Sequence, residues 1–374
     1  MARYKLSDVV MRIKDKVDKD NTDLEFYIGG EHFDNGEICI TKRGVIKEST
    51  IGPAFHMRFK PGDVLLMSRN PHLRKAGVVD FEGICSDVSY VCRTKDENVL
   101  MQRFLPFIFQ TDDFWKFAEE NKGGSTNFFL NWSDFERYEF ELPSIEKQRP
   151  LTEILWAAQN TKLAYLELLR QTDELVKSQF IELFGYVKTN DKSWKTKPLK
   201  ELCNITRGGS PRPIANYLGG TIPWIKIGDA TDGDDIYINS TKEYIIEEGM
   251  RKSRYVKAGS LIFANCGVSL GFCRIINIDG CIHDGWLALQ DIDKSLNKEF
   301  LLMTINQLTD YFRSIAPGAT QPNLNTEIMG NYQQILPPLE LQEKYIAFVK
   351  QTDKSKYYEQ NRIFYVTRGG ELCA

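Results

Sequence analysis

The feature that most constrains this fold is a heptapeptide that the chain contains twice. "LPSIEKQ" occupies residues 142–148 and "LPPLELQ" residues 336–342, 194 positions later. The same offset aligns 124–148 with 318–342 without a gap, and an offset of 197 aligns "KPGDVLLMS" (60–68) with "KAGSLIFAN" (257–265). Two collinear blocks are more than chance explains, so the sequence predicts a tandem duplication with one small insertion or deletion in a loop.

Each copy begins with short strand patterns and continues with short helical patterns. "GEICITKRGVI", "GDVLLMS" and "GVVDFEGICSDVSYVC" in the first copy predict strands between turns, as do "SLIFANCG", "FCRIINIDGCI" and "GWLALQDI" in the second. "LMQRFLPFIFQTDDFWKFAEENKGG" and "KEFLLMTINQLTDYFRSIAPG" predict helices that end at glycine. The predicted fold class is therefore α+β, with two duplicated globules of mixed strands and short helices.

The stretch after the first heptapeptide predicts a long helix. It contains no glycine from Glu146 to Phe184, and positions 155, 162, 169, 176 and 183 recur every seven residues. A stripe of that length favours a coiled-coil helix, and about 35 residues make a rod on the order of 50 Å. The alternative is a long core helix within one compact domain. The predicted seam residues are Leu155, Leu169, Val176 and Leu183 in this helix and Leu341, Tyr345 and Phe348 in a second, antiparallel helix.

Composition excludes several classes of protein. Eight cysteines and four histidines form no CxxC pair and no usual zinc spacing, which favours reduced, buried thiols and no metal site. No signal peptide and no apolar stretch of about 20 residues is present, so we expect a soluble, cytoplasmic protein without a membrane partner. With a net charge of −3, a DNA-binding chain would have to separate its charges onto different faces.

The order of globule, helix, globule and helix resembles the specificity subunits of type I DNA restriction–modification systems. The resemblance covers residues 1 to about 356 and rests on the two helix starts, preceded by "GSTNFFLNW" and "GATQPNLN". "FKPGDVLLMSRNPHLRKAGVVDFEGICSDV" and "ITRGGSPRPIANYLGGTIPWIKIGD" are similar to target-recognition domains of that family. The implied domains are target-recognition domains at 1–142 and 186–336, a central coiled-coil spacer helix at 143–185, and a C-terminal spacer helix at 337–374 that looks truncated or atypical.

The resemblance implies a subunit that reads double-stranded DNA and does no chemistry itself. Each target-recognition domain would read one half of a bipartite site, while adenine-N6 methyltransferase subunits and motor-nuclease subunits are recruited as partners. Half-sites read from one side of a duplex lie about one turn apart, roughly 34–36 Å, which a stiff rod can span. No cofactor is implied for this chain.

Two polar loops supply most of the candidate DNA contacts. "SRNPHLRKAG" (68–77) follows a predicted strand, and "TRGGSPRPIANY" (206–217) is framed by glycine and proline. Arginine can bond guanine, asparagine can bond adenine, and lysine suits a phosphate, although each loop could equally be a solvated turn. The candidates are Arg69, His72, Arg74, Lys75, Lys42, Arg43 and His32 in the first globule, and Arg207, Ser210, Arg212, Asn216, Tyr217, Lys226 and Asn265 in the second.

Other polar motifs predict scaffold rather than chemistry. Residues that repeat just before the long helices suggest capping or a tie between globule and rod; these are Thr126, Asn127, Thr320, Gln321 and Asn325. "GDATDGDD" (228–235) lacks calcium-loop spacing and predicts a solvated turn. Asn70-Pro71 is followed by His72-Leu73, so the aromatic residue of a methyltransferase pocket is missing, and we predict no catalytic site.

The sequence also leaves two other functions open. The chain could be a fragment or recognition region of a standalone DNA adenine methyltransferase, which methyl transfer by the purified chain would favour. It could also be a coiled-coil adaptor without DNA binding, which an absence of salt-sensitive binding would favour. Because "IFYVTRGGELCA" (363–374) does not continue the heptads, we hypothesise a truncated or recombined end that leaves the seam from Leu169 to Leu183 partly exposed.

Overall fold

The computed structural model describes residues 2–230, 236–318 and 322–353. These residues form two compact units, 2–162 and 163–353, and one long helix contributes residues to both. Within the described ranges, no helix combines the length and the apolar character that crossing a membrane requires.

The first unit contains two four-stranded sheets and a two-stranded ribbon. Its strands are β1 (Ala2–Lys5), β2 (Val10–Ile13), β3 (Phe26–Ile28), β4 (Gly44–Val45), β5 (Phe55–Phe59), β6 (Val64–Met67), β7 (Ala76–Val78), β8 (Gly83–Ser86), β9 (Ser89–Thr94) and β10 (Glu139–Leu142). The helices are α1 (Leu6–Val9), α2 (Leu105–Ile108), α3 (Asp112–Glu120), α4 (Trp132–Phe135) and the long α5 (Ile145–Phe184). The sheet orders are β2-β9-β6-β7, β4-β3-β8-β5 and β1-β10.

The second unit repeats this plan. Its strands are β11 (Thr196–Pro198), β12 (Asn204–Arg207), β13 (Leu218–Ile225), β14 (Tyr237–Ile238), β15 (Tyr244–Ile245), β16 (Arg254–Val256), β17 (Leu261–Ala264), β18 (Cys273–Ile276), β19 (Gly280–Ile282), β20 (Trp286–Gln290) and β21 (Gln333–Ile335). The helices are α6 (Glu247–Met250), α7 (Lys298–Asn306), α8 (Thr309–Ile315), α9 (Thr326–Asn331) and α10 (339–353). The sheet orders are β12-β20-β17-β18-β14, β15-β13-β19-β16 and β11-β21.

The matching topologies confirm the predicted duplicated α+β fold. The order β2-β9-β6-β7 corresponds to β12-β20-β17-β18, and in each second sheet one parallel pair, β3 with β8 or β13 with β19, occupies the centre. A β14 strand added beside β18 is the main difference between the sheets. "GEICITKRGVI" is an error of the sequence prediction, because only Gly44–Val45 forms a strand there and Cys39 makes an isolated bridge to Val78.

Helix α5 runs for 40 residues through Pro150, which lies in its second turn. A proline this close to a helix start removes few hydrogen bonds, so the helix continues past it. The predicted seam positions, including Leu155 and Leu169, are half-buried, whereas Ile154 next to the seam is 64% exposed. Lys162 also occupies a seam position. Its charge is tolerated there because its ammonium lies 2.7 and 2.9 Å from the two carboxylate oxygens of Glu37.

The last turns of α5 pack into the core of the second unit. Phe180 and Phe184 are fully buried and contact the rings of Phe300 and Tyr345 at centroid distances of 4.7 to 6.0 Å.

The helix α10 covers part of the predicted seam. Val176 and Leu183 pack against the buried core that contains Tyr345, together with the half-buried Leu341 and Phe348. The hydroxyl of Tyr345 also donates to the carbonyl of Val176 at 3.2 Å. The hypothesis of an exposed seam is therefore wrong at Val176 and Leu183, and residues 363–374, on which it rested, lie outside the described residues.

The repeated heptapeptide serves as a clamp at the start of α5 and of α10. The side chain of Gln148 is fully buried; its Oε1 accepts from the Met101 amide (3.1 Å), and its Nε2 donates to the carbonyls of Val99 (2.7 Å) and Pro143 (2.8 Å). The equally buried Gln342 accepts from the Asn297 amide (2.9 Å) and donates to the carbonyls of Ser295 (3.1 Å) and Pro337 (2.7 Å). The sequence repeats because the same three hydrogen bonds tie each helix to its own unit.

Candidate nucleic-acid interface

One loop in each unit emerges from the same strand of the fold and is held by the same backbone hydrogen bonds. We call them the β6 loop (69–75) and the β17 loop (266–271). In the first unit, Ser68 bonds Val88 (2.8 Å) and Leu130 (2.9 Å), and the Asn70 amide donates to Phe128 (2.9 Å).

The second unit reproduces all three bonds. Asn265 bonds Gly285 (3.0 Å) and Leu324 (2.8 Å), and the Gly267 amide donates to Pro322 (3.1 Å). These bonds anchor one end of each loop on a rigid sheet, the usual arrangement for a recognition loop.

The β6 loop turns sharply and presents cations. Asn70 and Arg74 adopt the left-handed conformation, with φ of 51° and 50°, around a short helical turn at Pro71–Leu73. Arg69 and His72 are exposed, and the Arg69 guanidinium lies 5.7 Å from the ring centre of Phe129. The Arg74 guanidinium is also exposed and lies 2.5 Å from the Asp112 carboxylate at the start of α3, which braces the loop.

Neighbouring segments bring more of the predicted residues to this loop. The Lys75 ammonium donates to the Gly30 carbonyl (2.6 Å), and the Gly36 amide donates to the Arg74 carbonyl (3.2 Å), so the segment 29–36 lies against the loop. Lys42 is held close to the same segment, because its ammonium lies 2.5 Å from the carboxylate of Asp34.

His32 lies in the same segment, but its ring already makes contacts within the protein. Its Nδ1 accepts from the Gly29 amide at 2.9 Å, and the ring meets Tyr27 edge to face at 5.1 Å. Burial lowers the pKa of His32 and outweighs the opposite effect of Glu31, so its charged form is disfavoured near neutral pH. Arg43 is not part of this group, since its guanidinium stacks on Phe26 (4.1 Å) and Phe81 (4.8 Å).

In the second unit, three predicted residues converge on Asp284. The Ser210 hydroxyl donates to Oδ1 of Asp284 (2.8 Å), and the Arg212 guanidinium lies 3.4 Å from Oδ2. Nε of Arg207 donates to the Asp284 carbonyl (3.2 Å), and Nε2 of His283 lies 3.0 Å from Oδ1. Burial raises the pKa of Asp284, but the Ser210 hydrogen bond and the nearby His283 and arginines hold it below its ordinary value overall.

Of the other predicted residues of this unit, Lys226 lies near that cluster, and Asn216 and Tyr217 make separate contacts. The Lys226 ammonium pairs with Glu243 and lies 5.7 Å from the ring centre of the buried Trp224, whose indole in turn lies 5.6 Å from the ring of His283. The Tyr217 hydroxyl accepts from the Lys252 ammonium (2.5 Å), while Asn216 is exposed at the end of a short helical turn.

One predicted contact is wrong. Asn265 is fully buried, and its side-chain amide has no hydrogen-bond partner within the described ranges, so it cannot reach a base edge. It is the residue at which the β17 loop leaves the sheet, equivalent to Ser68, and its backbone groups bond Gly285 and Leu324. Because this position is used to anchor the loop, its side chain points into the protein.

Sequence reasoning missed the carboxylate that organises the cluster. Asp284 aligns with Asp87 in the repeat, and that pairing was the available signal. In the first unit the Asp87 carbonyl accepts from Arg12 (3.2 Å), as the Asp284 carbonyl accepts from Arg207 (3.2 Å). Arg12 and His283 were missed as well, since neither belongs to a local motif.

The polar motifs predicted to be scaffold have mixed outcomes. Asn325 caps α9 by accepting from the Ile328 amide (2.8 Å), which confirms its structural role. Thr320 and Gln321 lie outside the described residues, as do residues 231–235 of the acidic motif. Asp229 of that motif is buried and accepts from the Lys226 amide (2.8 Å) and the Thr241 hydroxyl (2.9 Å), so it is not part of a solvated turn.

Metal binding has no support in the described part of the chain. There, no group of three or more His, Cys, Asp or Glu side chains could hold an ion. The β6 loop and the cluster around Asp284 present hydrogen-bond donors and cations, which suit phosphate and base-edge contacts.

Comparisons with known proteins agree with this architecture. Residues 191–363 match the family model described as the type I restriction modification DNA specificity domain. The specificity subunit of the type I restriction enzyme MjaIX from Methanocaldococcus jannaschii is 24% identical over 157 residues, which cover 41% of this chain and 36% of that protein. The chain thus matches about a third of the length of that curated relative.

Two solved structures share the fold over nearly the whole chain. The S subunit of a type I restriction–modification system from M. genitalium has a TM-score of 0.62 at 13% identity, covering 99% of this chain and 94% of that chain. A chain from structural work on complex assembly and conformational transition of the type I restriction–modification system has a TM-score of 0.60 at 19% identity, covering 98% and 94%. Residues 191–363 thus match the type I specificity-domain family, and nearly the whole chain has the fold of these two solved structures.

Proposed function

We propose that this chain is a non-catalytic, cytoplasmic subunit that binds double-stranded DNA and reads a bipartite target. The target-recognition domains would comprise residues 1–142 and 186–336, with spacer helices at 143–185 and 337–374. Adenine-N6 methyltransferase subunits and motor-nuclease subunits would be its partners, as the family resemblance implies.

The observation that carries this proposal is the pair of equivalent, framed loops in two units of the same topology. Both loops leave the sheet through equivalent backbone hydrogen bonds, yet their sequences, "RNPHLRK" and "CGVSLG", share only Leu73 and Leu270 at aligned positions. Conserved frames with divergent tips are what two readers of different half-sites need, because the frame sets position while the side chains specify bases.

Charge distribution supports a nucleic-acid partner despite the net charge of −3. The exposed Arg69, His72 and Arg74 cluster on one loop of the first unit, and Arg207 and Arg212 surround one site in the second. Such local clusters attract phosphates over roughly one Debye length, about 8 to 10 Å, whatever the overall charge.

Methylation mapping tests the proposal directly. A host that carries this chain with its methyltransferase subunit should show adenine methylation at a split motif, and deletion of this chain should abolish it. The assembled complex should also bind duplexes with that motif in a salt-sensitive manner. A continuous motif, or methylation that survives the deletion, would contradict the proposed role.

Two further measurements address the partners and the alternatives. Co-purification with the methyltransferase subunit should give two methyltransferase chains per copy of this chain; a lower ratio would mean that the atypical C-terminal segment disables one docking site. The purified chain alone should transfer no methyl group to DNA. Measurable transfer would favour the methyltransferase-fragment hypothesis, and an assembled complex indifferent to DNA would favour a structural adaptor.

A further inference from the structure

The tip of the β17 loop carries an unusually exposed apolar side chain. Val268 is 95% exposed, whereas the next most exposed large hydrophobic residue in the described part of the chain, Ile154, is 64% exposed. A single apolar residue on a surface is common, so exposure alone would not demand an explanation. The position and rigidity of Val268 distinguish it.

The backbone of the β17 loop is fixed around Val268. The guanidinium of Arg313 on α8 donates to the carbonyls of Leu270 and Val268, both at 3.0 Å. The Gly267 amide donates to Pro322 (3.1 Å), and the Gly271 amide donates to Ala264 (2.9 Å). The loop is thus braced before any ligand binds, so an apolar contact at its tip costs little ordering entropy.

The same loop adjoins the cationic cluster of the second unit. A Cβ atom at Gly285 would lie 3.3 Å from Sγ of Cys266 and 3.1 Å from Nδ1 of His283, so Cys266 of the loop packs beside the His283–Asp284 segment. Arg207 and Arg212 reach that segment from the other side. Val268 therefore lies two residues beyond Cys266, which packs beside the segment on which Arg207 and Arg212 converge.

We propose that Val268 reads a thymine by packing on its C5-methyl group in the major groove of the half-site that the second unit binds. This inference rests on the proposed DNA-reading function. Thymine is the natural base that presents a methyl group in the major groove, and small apolar side chains recognise it by contact. The flanking arginines would position the duplex through its phosphates. The equivalent residue of the first unit, Pro71, is buried, so the first half-site is read differently.

A deoxyuridine scan tests this inference. The full chain, assembled with its methyltransferase subunits, is titrated with duplexes that carry the motif found by methylation mapping. Each thymine is replaced in turn by deoxyuridine, which lacks only the methyl group. Removing one buried methyl group should weaken binding by about 4-fold at a single thymine, and Val268→Ala, which removes two methyl groups of the contact, should reduce that difference.

Controls separate the possible outcomes. Leu218→Ala, which truncates another exposed hydrophobic residue of the same unit (39% exposed), should keep the full difference between thymine and deoxyuridine. A half-site without thymine, no sensitive thymine, or a Val268→Ala complex that discriminates as strongly as the wild type would each overturn the inference while leaving DNA binding intact. A wild-type complex that binds no duplex would instead refute the proposed function, and this inference with it.

Discussion

The Gln148 clamp offers the sharpest test of how the repeated heptapeptide works. Gln148→Leu keeps the volume and the helix propensity of the side chain but removes all three hydrogen bonds to Met101, Val99 and Pro143. At about 1 kcal/mol for each lost bond with its stranded partner, the first unit should lose about 3 kcal/mol of unfolding free energy. For a domain of this size, that corresponds to a fall in Tm of roughly 6–12 °C.

Calorimetry of the full chain measures this loss, and hydrogen exchange localises it, because the Met101 amide loses its acceptor. The matched control is Gln171→Leu, the same substitution in the same helix, where the exposed Gln171 side chain donates to the Glu167 carboxylate (2.7 Å). Its effect should stay within about 0.5 kcal/mol, as is usual for a surface position. If both variants melt at the same temperature, the clamp does not stabilise the start of α5.

Three further predictions follow from the described contacts. Arg212→Ala should reduce the slope of log K against log salt concentration for DNA binding by about 0.9, whereas Arg137→Ala, on α4's C-terminal side, should not change it. Because the folded-state pKa of Asp284 lies below its ordinary value of 3.8, its carboxylate stabilises the second unit above that pH, and the contribution is lost as pH falls through the lowered value. Asp284→Asn should therefore flatten the acid limb of a urea-unfolding pH profile. Glu37→Gln should strand the half-buried Lys162 and lower the unfolding free energy by about 1 to 2 kcal/mol, measured by urea unfolding.

The sequence predicted the scaffold well because its signals are local or repeated. Heptad periodicity along α5 marks a helix wherever it occurs, and the collinear blocks at offsets of 194 and 197 required two units of one topology. The prediction failed at "GEICITKRGVI" because it relied on β-rich composition alone. In the structure only Gly44–Val45 of this segment forms a strand, which pairs with β3. A strand needs a neighbour, which composition cannot supply.

The recognition surface was predictable only in outline. Sequence marked the β6 loop and the glycine-framed segment 206–217, because clustered cations on loops are visible without a fold. It could not show that Asn265 anchors the backbone while Val268, three residues later, is exposed. Asn265 directly precedes the β17 loop and Val268 lies within it, and the backbone hydrogen bonds of Asn265 to Gly285 and Leu324 fix which side chain faces solvent.

By itself, the sequence determined a duplicated α+β chain with a long helix and its resemblance to a family, because repeats and periodicity are properties of order along the chain. Tertiary structure alone decided that Asp284 gathers Ser210 and Arg212 from more than 70 positions away, and that Gln148 ties α5 to the segment around Val99. Those contacts depend on distances in space, which are set only when the sheets assemble and bury their shared core.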